Sequence, residues 1–283
     1  MIKDKNILIT GGAGSIGSEL VRQLAPLNRI FVLDINETGM FDIVSEEKAK
    51  GYWVNGRVGN IRDKDTLEDV FSDFKPDMVF HAAAYKHVTP MEDYPIEAIN
   101  TNINGTFNLI QYAKKYEVKK FVFISTDKAV QSSSIMGATK RVSEIITRNQ
   151  GSGYVVVRFG NVLGSRGSVI PIWQKQLEKG QPLTVTDPNM TRYMMTIEEA
   201  CELVIKAGET GKGGEIICLD MGEKINILDL AKDILKKANK KPAIKIVGMR
   251  PGEQLTEKLM FDEEEKVAIK KGNFFIIPCH QGG

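Results

Sequence analysis

The chain has 283 residues, of which 42% are hydrophobic and 26% are charged, and its 38 Lys plus Arg against 36 Asp plus Glu give a net charge of +2. This near-balance excludes a strongly basic nucleic-acid binder as the default interpretation, and the composition excludes wholesale disorder. The opening MIKDKNILIT has no signal-peptide pattern, and no apolar run approaches the roughly 18 residues of a membrane span. We therefore expect a soluble, cytoplasmic protein with no membrane span and no nucleic-acid partner.

Cysteine and histidine are both scarce. The cysteines are Cys201, Cys218 and Cys279, and the histidines are His81, His87 and His280. An odd number of widely spaced cysteines predicts neither a disulfide framework nor a zinc site. Cys201 and Cys218 lie in apolar stretches, which favours buried thiols in a reducing compartment. We expect no metal site.

Strand and helix patterns alternate along the first part of the chain. Apolar runs predict strands at residues 7–10, 30–33, 78–80, 121–124 and 154–157. Helical spacing of apolar residues predicts helices at 15–24, 65–74, 99–116 and 137–149. Strands that are apolar on both faces are typical of a parallel sheet covered by helices. The sequence therefore predicts an α/β fold, a Rossmann-type doubly wound parallel sheet, with a smaller C-terminal lobe.

The regular alternation of strand and helix patterns ends after residue 158. Gly, Pro and Ser become frequent through residues 160–171, and helical patterns are sparse until 197–207. Two later segments, 215–219 and 227–236, are candidates to return to the first lobe. We predict a dinucleotide-binding Rossmann domain at 1–160, with returns near 215–240, and mainly a substrate-binding lobe at 161–283.

A glycine-rich loop joins the first predicted strand to the first predicted helix. It reads GGAGSIG at residues 11–17. Glycine permits the tight turn and lets backbone N–H groups and the helix N-terminus approach a pyrophosphate. The predicted phosphate-loop residues are Gly11, Gly14, Ser15, Ile16 and Gly17. The alternative is a glycine-rich turn without a ligand, which the strand before and the helix after disfavour.

Asp34 ends the second predicted strand, where a dinucleotide-binding fold places an acidic residue. Its carboxylate would accept hydrogen bonds from the adenosine ribose and would repel a 2′-phosphate. This favours NAD as the cofactor, and no arginine directly follows Asp34. NADP is the alternative. The structural alternative is an ordinary aspartate at the end of a strand.

The GGxGxxG spacing resembles the extended short-chain dehydrogenase/reductase superfamily. Three further segments resemble its cofactor site: GNIRD at 59–63 at the adenine edge, HAAA at 81–84 against the cofactor, and the asparagine of TNINGT at 101–106. The resemblance adds to the predicted cofactor-binding residues Asn60, Ile61, Ala82, Ala83, Ala84, Asn102 and Lys140.

The predicted helix at 137–149 departs from the superfamily pattern. Most members have Tyr-x-x-x-Lys there, because residues four apart share a helix face and the lysine lowers the pKa of a tyrosine that moves protons. Here Lys140 is present, but Met136 occupies the tyrosine position. Either the protein only binds a dinucleotide, or another group moves the proton. Thr126, Asp127 and Lys128 are candidates because they leave the carboxyl end of a predicted strand, although a surface ion pair is the alternative.

Five segments together resemble the UDP-N-acetylglucosamine 4,6-dehydratases of bacterial and archaeal surface-polysaccharide synthesis. They are STDKAV, MGATKR, RFGNVLGSRGSVIP, MTRYMMTIEEA and MRPGEQLTEKL, and the resemblance runs from about residue 5 to residue 259. Several members of that family carry Met in place of Tyr. Larger members have an N-terminal membrane region, so this chain is expected to be the soluble catalytic unit. Two departures are QSSS at 131–134, where a proline-containing turn is common, and Gln254 in place of a common Lys.

The resemblance implies an internal redox cycle. NAD takes hydride from C4 of the hexose, water leaves from C5 and C6, and the hydride returns to C6 to give a 4-keto-6-deoxy sugar nucleotide. Lys128 would be the base at C5, Asp127 the acid at the C6 hydroxyl, and Thr126 a hydrogen-bond partner of the C4 oxygen. Lys140 would orient the nicotinamide ribose. Asp127 or a water relay would deprotonate the C4 hydroxyl, and the sequence does not choose between them.

A second group of residues is assigned to the UDP-sugar. Arg192 and Arg250 are candidates for the pyrophosphate, because guanidinium binds phosphate oxygens bidentately. The predicted substrate-binding residues are Lys86, His87, Asn161, Arg192, Arg250 and Glu253. Surface arginines or inter-lobe ion pairs are the structural alternative. A sugar-nucleotide 4-epimerase and a non-catalytic dinucleotide sensor are the competing functions. We also expect a homo-oligomer, either a dimer or a hexamer.

Overall fold

The computed structural model describes residues 1–238 and 243–279, so His280 lies outside the described residues. The strands are β1 (Asn6–Thr10), β2 (Arg29–Asp34), β3 (Val54–Val58), β4 (Met78–His81), β5 (Lys120–Thr126), β6 (Tyr154–Phe159), β7 (Asn161–Val162), β8 (Leu183–Val185), β9 (Thr191–Arg192), β10 (Met194–Met195), β11 (Ile216–Leu219), β12 (Ile225–Asn226), β13 (Ile244–Ile246), β14 (Ile269–Lys271) and β15 (Phe274–Ile277). The helices are α1 (Ser15–Leu24), α2 (Glu37–Ala49), α3 (Lys64–Phe74), α4 (Val88–Asp93), α5 (Pro95–Ala98), α6 (Thr106–Lys115), α7 (Ile135–Arg148), α8 (Val169–Glu178), α9 (Ile197–Thr210), α10 (Ile227–Lys237) and α11 (Asp262–Val267).

Within the described residues, nine strands form one sheet in the order β14-β15-β11-β6-β5-β4-β1-β2-β3. Seven neighbouring strands of this sheet are parallel, namely β11, β6, β5, β4, β1, β2 and β3. Strand β15 is antiparallel to β11, and β14 is antiparallel to β15. The order reverses between β1 and β4, and such a switch point opens a crevice at the carboxyl ends of the strands. The predicted Rossmann-type doubly wound sheet is confirmed.

Each face of the sheet has its own hydrophobic core. On one face, side chains of α1, α2 and α9, including Leu20, Ile43 and Val204, pack on the sheet. On the other face, α3 and α6 supply Phe71 and Leu109. Strands β4, β6 and β11 are buried along their whole length, because helices cover both sides. This explains why their sequences are apolar apart from His81 in β4 and Arg158 in β6.

A smaller core lies beside the main sheet and is built around the buried indole of Trp173 on α8. Residues of β8 and α10, including Val185, Ile227 and Ala231, pack around it. Of the two segments expected as candidates to return to the first lobe, 215–219 does so as β11. The segment 227–236 forms α10 and packs against Trp173 instead, because its apolar face matches the smaller core.

Three elements differ from the sequence prediction. The helix expected at 99–116 begins as a π-helical segment, Ile99–Gly105, before α6 continues it. Helix α2 was not predicted, and it buries only Ile43, Val44 and Glu47. The antiparallel pair β14 and β15 also lacked a signal, because its strands are only three and four residues long.

The described part of the chain offers neither a membrane-spanning helix nor a cluster of metal ligands. No helix there is both long enough and apolar enough to cross a bilayer. No group of three or more His, Cys, Asp or Glu side chains there is placed to hold a metal ion. Cys201 and Cys218 are buried, and burial raises the pKa of each thiol, that of Cys218 to about 12.

Candidate active site

A cavity of about 1270 Å³ opens at the carboxyl ends of the central strands and continues into the smaller lobe. It begins at the loop between β1 and α1 and passes the ends of β4, β5 and β6. It then reaches Arg192 and Ile227 beside the smaller core. Pockets that bind one drug-sized ligand measure about 300–1,000 Å³, so this cavity is larger than a typical single-ligand pocket. Its position is the crevice that the strand order creates.

The glycine loop forms the floor of one end of the cavity. Gly11 has a φ of +71°, and a Cβ at that position would lie 2.5 Å from the backbone nitrogen of Ala83. The loop therefore packs directly on the small-residue end of β4, which side chains larger than hydrogen would prevent. Gly17 lies equally close to the loop, since its Cβ would meet the carbonyl oxygen of Gly11. The predicted residues that line this end are Gly11, Gly14, Ser15, Ile16, Gly17, Asp34, Asn60, Ile61, Ala82, Ala83 and Ala84.

Asp34 fastens this loop from the end of β2. Its Oδ2 accepts a hydrogen bond of 2.9 Å from the Ala13 backbone N–H, and its Oδ1 accepts one of 2.9 Å from Asn36. The carboxylate therefore fixes the loop and borders the cavity at the same time. The position and charge of Asp34 fit the predicted contact with a ribose, and that contact remains a prediction.

Asn102 supports the site without lining the cavity. It is buried in the π-helical segment, where its Oδ1 accepts from the Tyr85 N–H at 2.8 Å. Its Nδ2 donates to the Tyr85 carbonyl at 3.0 Å and to Thr139 Oγ1 at 3.0 Å. The side chain thus ties the segment after β4 to α7, which fits the structural asparagine of the resemblance, and its part in cofactor binding stays a prediction.

His81 lies beneath the small-residue segment. The Thr106 hydroxyl donates to the Asn102 carbonyl, so it accepts from His81 Nε2–H at 2.8 Å. His81 Nδ1 then accepts from the Thr10 hydroxyl at 2.8 Å. Burial, with the Lys140 charge adding to it, lowers the pKa of His81 to about 3, so the imidazole is neutral.

A buried cluster of charged groups surrounds the end of β5. Lys128 Nζ donates to Asp127 Oδ1 at 3.0 Å, to Asn161 Oδ1 at 2.9 Å and to Glu257 Oε2 at 3.0 Å. The Thr126 hydroxyl donates to Asp127 Oδ1 at 2.9 Å. Asp127 is 0% exposed and Glu257 is 4% exposed. The structure therefore brings together the three predicted residues of this segment and Asn161, and it rejects the surface-ion-pair alternative.

The carboxyls of this cluster have different proton affinities. Burial raises the pKa of Glu257 to about 7, because the Lys128 charge only partly offsets it and the Asp127 charge adds to it. Burial acts in the same direction on Asp127, but Lys128, Glu257 and Thr126 outweigh it, so the pKa of Asp127 lies below its usual value. Two buried carboxyls with separated pKa values can hold a proton in turn. Among the described residues, Asp127 Oδ2 has no hydrogen-bond donor.

Met136 and Lys140 lie on one face of α7. Met136 is 1% exposed, packs with Met91 and Ala98, and borders the cavity. Lys140 Nζ donates to the Ile124 carbonyl at 2.5 Å and lies 4.1 Å from the centre of the Phe123 ring. Burial lowers the pKa of Lys140 to about 7, with the Glu144 charge opposing the shift.

The residues assigned to the substrate are found in two environments. Arg192 is buried and donates to the carbonyls of Thr191, Gln254 and Leu255, and its Nε lies 3.5 Å from Glu257 Oε1. Most of its donors are therefore used within the protein, by residues of the same predicted lobe, 161–283. Arg250 is exposed and borders the cavity, and the Glu253 carboxylate accepts from its backbone N–H at 2.9 Å. Glu253 thus shapes the turn that presents Arg250.

Lys86 and His87 line the cavity mouth together with Arg166, which sequence reasoning missed. The Arg166 guanidinium donates to the Ala13 carbonyl, and its backbone N–H donates to Ser15 Oγ at 3.1 Å. Lys86 Nζ donates to the Arg166 carbonyl at 2.9 Å. The loop after β7 therefore bridges the glycine loop and the segment after β4.

A buried ion network anchors the segment that carries Glu257. Arg158 is 0% exposed and pairs with Glu144 on α7 and with Glu264 on α11 at 2.7 and 2.6 Å. Its Nη1 also donates to the Leu259 carbonyl at 2.9 Å, and Ser125 Oγ donates to Glu144 at 2.6 Å. These contacts hold residues 257–264 against β5 and β6.

Glu257 is the main residue of the cluster that sequence reasoning missed. It lies in the MRPGEQLTEKL segment, between Leu255 and Leu259, but only Arg250 and Glu253 were selected there. An acid with a leucine two positions away on each side was the available signal, yet its partner Lys128 is 129 positions away along the chain.

The comparisons with known proteins agree with this architecture. A family model described as "Polysaccharide biosynthesis protein" matches residues 7–278. The chain belongs to this family. The capsular polysaccharide biosynthesis protein CapD of Staphylococcus aureus is 46% identical over 277 residues, which are 93% of this chain and 46% of that protein. The chain therefore spans about half the length of this relative. A UDP-glucose 4-epimerase of Rickettsia bellii is 36% identical, over 98% of this chain and 84% of that protein.

Solved structures show the same fold. The structure of Pen from Bacillus thuringiensis has a TM-score of 0.92 and 37% identity, covering 98% of this chain and 89% of that one. The UDP-glucose 4-epimerase of Thermus thermophilus, solved with NAD, has a TM-score of 0.80 and 28% identity, with 90% of each chain covered. The predicted extended short-chain dehydrogenase/reductase fold and the resemblance to polysaccharide-biosynthesis proteins are confirmed.

Proposed function

We propose that this family member catalyses the NAD-dependent 4,6-dehydration of a UDP-hexose, with UDP-N-acetylglucosamine as the first candidate substrate. The product would be a 4-keto-6-deoxy sugar nucleotide for surface-polysaccharide or glycan synthesis. The observation that carries this proposal is the buried cluster of Thr126, Asp127, Lys128 and Glu257 at the cavity. A reaction that removes water needs both an acid and a base, and this cluster supplies them where the usual tyrosine is Met136.

The residues around the glycine loop fit NAD. Gly11 and Gly17 leave no room for a Cβ, so the loop backbone stays open to a pyrophosphate at the N-terminus of α1. Asp34 supports this loop and would accept hydrogen bonds from the ribose hydroxyls. Ala82 and Ala83 line the cavity beside the loop with small side chains. When bound, NAD supplies hydride acceptance from C4 and hydride return to C6. The fold shared with the NAD-bound epimerase supports the same assignment.

Lys128 and Asp127 would move the protons of the elimination. Lys128 would remove the C5 proton, and Asp127 would protonate the C6 hydroxyl so that it leaves as water. Because Asp127 is ionised beside the Lys128 ammonium, it can first accept the C4 hydroxyl proton. The proton from the C4 hydroxyl is then the one that completes the leaving water. Thr126, hydrogen-bonded to Asp127, would keep that carboxyl oriented.

Lys140 and Met136 would have different roles on the face of α7. Lys140, with a pKa lowered to about 7, would donate hydrogen bonds to a ribose hydroxyl and give up its contact with the Ile124 carbonyl. Met136 cannot carry a proton, but its buried thioether excludes water from the reacting carbons. Arg250, at the far end of the cavity, would pair with the UDP pyrophosphate.

Proton NMR of the purified protein with NAD and UDP-N-acetylglucosamine tests the proposal. A new C6 methyl doublet, without added reductant, is the expected result. UDP-glucose in a parallel sample tests whether the 2-acetamido group is required. No methyl signal from either substrate in a protein shown to bind NAD would contradict the proposal.

A sugar-nucleotide 4-epimerase is the second candidate, because the Rickettsia relative with that name covers nearly the whole chain. Epimerisation at C4 needs no acid at C6 and no base at C5, so it leaves the Asp127–Lys128–Glu257 cluster without a use. In the same NMR experiment, an epimerase would change the C4 proton coupling and produce no methyl signal.

A further inference from the structure

The proposed function leaves a proton unassigned at Lys128. A base must be uncharged, but Lys128 lies 3.0 Å from two carboxylates, Asp127 and Glu257. Burial lowers its pKa, but the two carboxylates outweigh burial and leave the pKa above its usual value. Lys128 is therefore an ammonium in the resting protein. It must pass a proton to a neighbour before it can remove one from C5.

Three side chains accept hydrogen bonds from Lys128 Nζ, and two of them are unsuitable as proton acceptors. Asn161 offers an amide oxygen, which is a hydrogen-bond acceptor but not a base at neutral pH. Asp127 already holds the C4 hydroxyl proton at this stage of the proposed cycle. Glu257 Oε2, at 3.0 Å, is the remaining acceptor.

Glu257 is well placed to take that proton and to return it. The ion network of Arg158 and Glu264 fixes the backbone segment that carries Glu257. This anchoring supports the Lys128–Glu257 contact. Burial raises the pKa of Glu257 to about 7, which is closer to the pKa of an amine than the pKa of an exposed carboxyl is. The charged groups that face it are Asp127 and Lys128 from the end of β5 and Arg192 from β9.

We propose that Glu257 stores the proton of Lys128 while Lys128 acts as the base at C5. This rests on the proposed dehydration. The C4–OH proton passes to Asp127 as hydride leaves C4 for NAD, and Lys128 passes its own proton to Glu257. Neutral Lys128 then takes the C5 proton, the C6–O bond breaks, and the Asp127 proton completes the leaving water. Hydride returns to C6, Lys128 reprotonates C5, and Glu257 returns its proton to Lys128. Glu257 acts through Lys128, so it is a positioning residue.

Glu257→Gln is the decisive variant, because its amide oxygen still accepts a hydrogen bond from Lys128 but cannot take a proton. With UDP-N-acetylglucosamine and NAD, we expect product formation to fall about 100-fold or more, the scale of a lost acid–base group. We also expect reduced nicotinamide to accumulate, since C4 oxidation does not need Glu257, and exchange of the C5 hydrogen with solvent deuterium to be lost. Glu257→Asp should recover part of the activity. Glu263→Gln, an exposed change on α11, is the matched control and should behave as wild type.

The pH profile separates proton storage from a structural role. Glu257 must be ionised to accept a proton, so kcat/KM of the wild type should rise with pH through about 7. Lys140 titrates in the same range, so the assignment depends on this limb disappearing in Glu257→Gln. Turnover of Glu257→Gln within threefold of wild type, or an unchanged pH limb, would overturn the proposal.

A titration without substrate keeps this proposal separate from the proposed function. In protein labelled with carboxyl-¹³C glutamate, the Glu257 signal is the one missing in Glu257→Gln or in Glu257→Asp. We expect it to titrate well above an ordinary glutamate, and at lower pH once Asp127→Asn removes the neighbouring charge. An ordinary midpoint overturns proton storage even if the wild type makes product. Failure of the wild type to make product, with a raised midpoint, would overturn the proposed dehydration instead.

Discussion

Glu257 and Lys128 are 129 positions apart along the chain, yet their side chains meet at 3.0 Å inside the cavity. The contact joins the C-terminal segment to the end of β5, and Asp127 completes it from the other side. One cation thus balances two carboxyls that are almost fully buried. Removing the cation would leave Asp127 without an ion-pair partner among the described residues and would leave Glu257 with only Arg192, 3.5 Å away, in a site of low polarity.

Lys128→Met should therefore lower both activity and stability. We expect turnover to fall at least about 100-fold, because the C5 base is lost. We expect the free energy of unfolding to fall by up to about 3–5 kcal/mol, the cost of breaking a buried ion pair. NAD binding should persist, because Lys128 is not part of the glycine-loop end. Product NMR, urea unfolding and NAD calorimetry measure the three effects, with Lys48→Met on α2 as the exposed control. Wild-type turnover in Lys128→Met would show that Lys128 is not the base at C5, whereas no turnover in either protein, with NAD bound, would favour a non-catalytic dinucleotide sensor.

Arg158→Met should destabilise the protein more than any exposed arginine change. Arg158 has no exposed surface and pairs with Glu144 and Glu264, so its loss leaves these two buried acids with Arg141, which is partly exposed, as their remaining cation among the described residues. The expected loss is about 3–5 kcal/mol in urea unfolding. Arg22→Met, which breaks a pair with Glu46 on the surface, should cost about 1 kcal/mol or less. Equal losses in the two variants would contradict the structural role assigned to the network.

Gly11→Ala tests the close approach between the glycine loop and β4. The new methyl group would lie 2.5 Å from the Ala83 nitrogen, and φ is +71°. Gly51→Ala is a matched control, because Gly51 has a φ of +86° but nothing within 4 Å of the added atom. We expect about 1–2 kcal/mol of destabilisation in Gly51→Ala from the left-handed backbone alone. Gly11→Ala should lose more than that and should lose NAD binding as well. Unchanged NAD affinity in Gly11→Ala, measured by calorimetry, would show that the loop does not hold the cofactor.

His81 should make stability depend on pH. Its pKa is lowered from 6.5 to about 3 on folding, so the unfolded state binds the proton more tightly. The free energy of unfolding should therefore fall as pH decreases from 6.5 toward 3, by up to about 1.4 kcal/mol per unit for this one group.

His81→Asn keeps a donor and an acceptor but removes the titration, so its stability should fall less steeply between pH 6.5 and 5. His87→Asn, at an exposed position, should change that slope less. Urea unfolding at several pH values provides the comparison. Parallel wild-type and His81→Asn curves would mean that His81 does not titrate as the structure indicates.

The elements that could be predicted from the sequence are those with a strong local pattern. The helix predicted at 15–24 is α1, residue for residue, because four apolar side chains at helical spacing mark its buried face. Helix α2 has no such stripe, and its position follows from the strands on either side. Strands β14 and β15 are stabilised by pairing with β11, a contact that local sequence does not encode.

The same distinction applies to the site. Gly11 and Asp34 were predictable because a phosphate loop has a fixed local spacing. The segment from Thr126 to Lys128 was selected by resemblance and by its place at the end of a strand. Glu257 and Arg166 escaped because their partners are distant in sequence. Arg192 was assigned to a phosphate on its charge, but its donors meet the carbonyls of residues 191, 254 and 255. Burial and long-range pairing are properties of the folded chain.

The fate of the hydrogen on C4 of the substrate tests the proposed 4,6-dehydration most directly. UDP-N-acetylglucosamine carrying deuterium at C4 would be incubated with the protein and NAD, and the product examined by NMR and mass spectrometry. Internal recycling of the hydride predicts that deuterium moves to C6 of the same molecule and gives a CH₂D group at C6 of a 4-keto sugar. Deuterium that stays at C4, in a C4 epimer or in unchanged substrate, would contradict it.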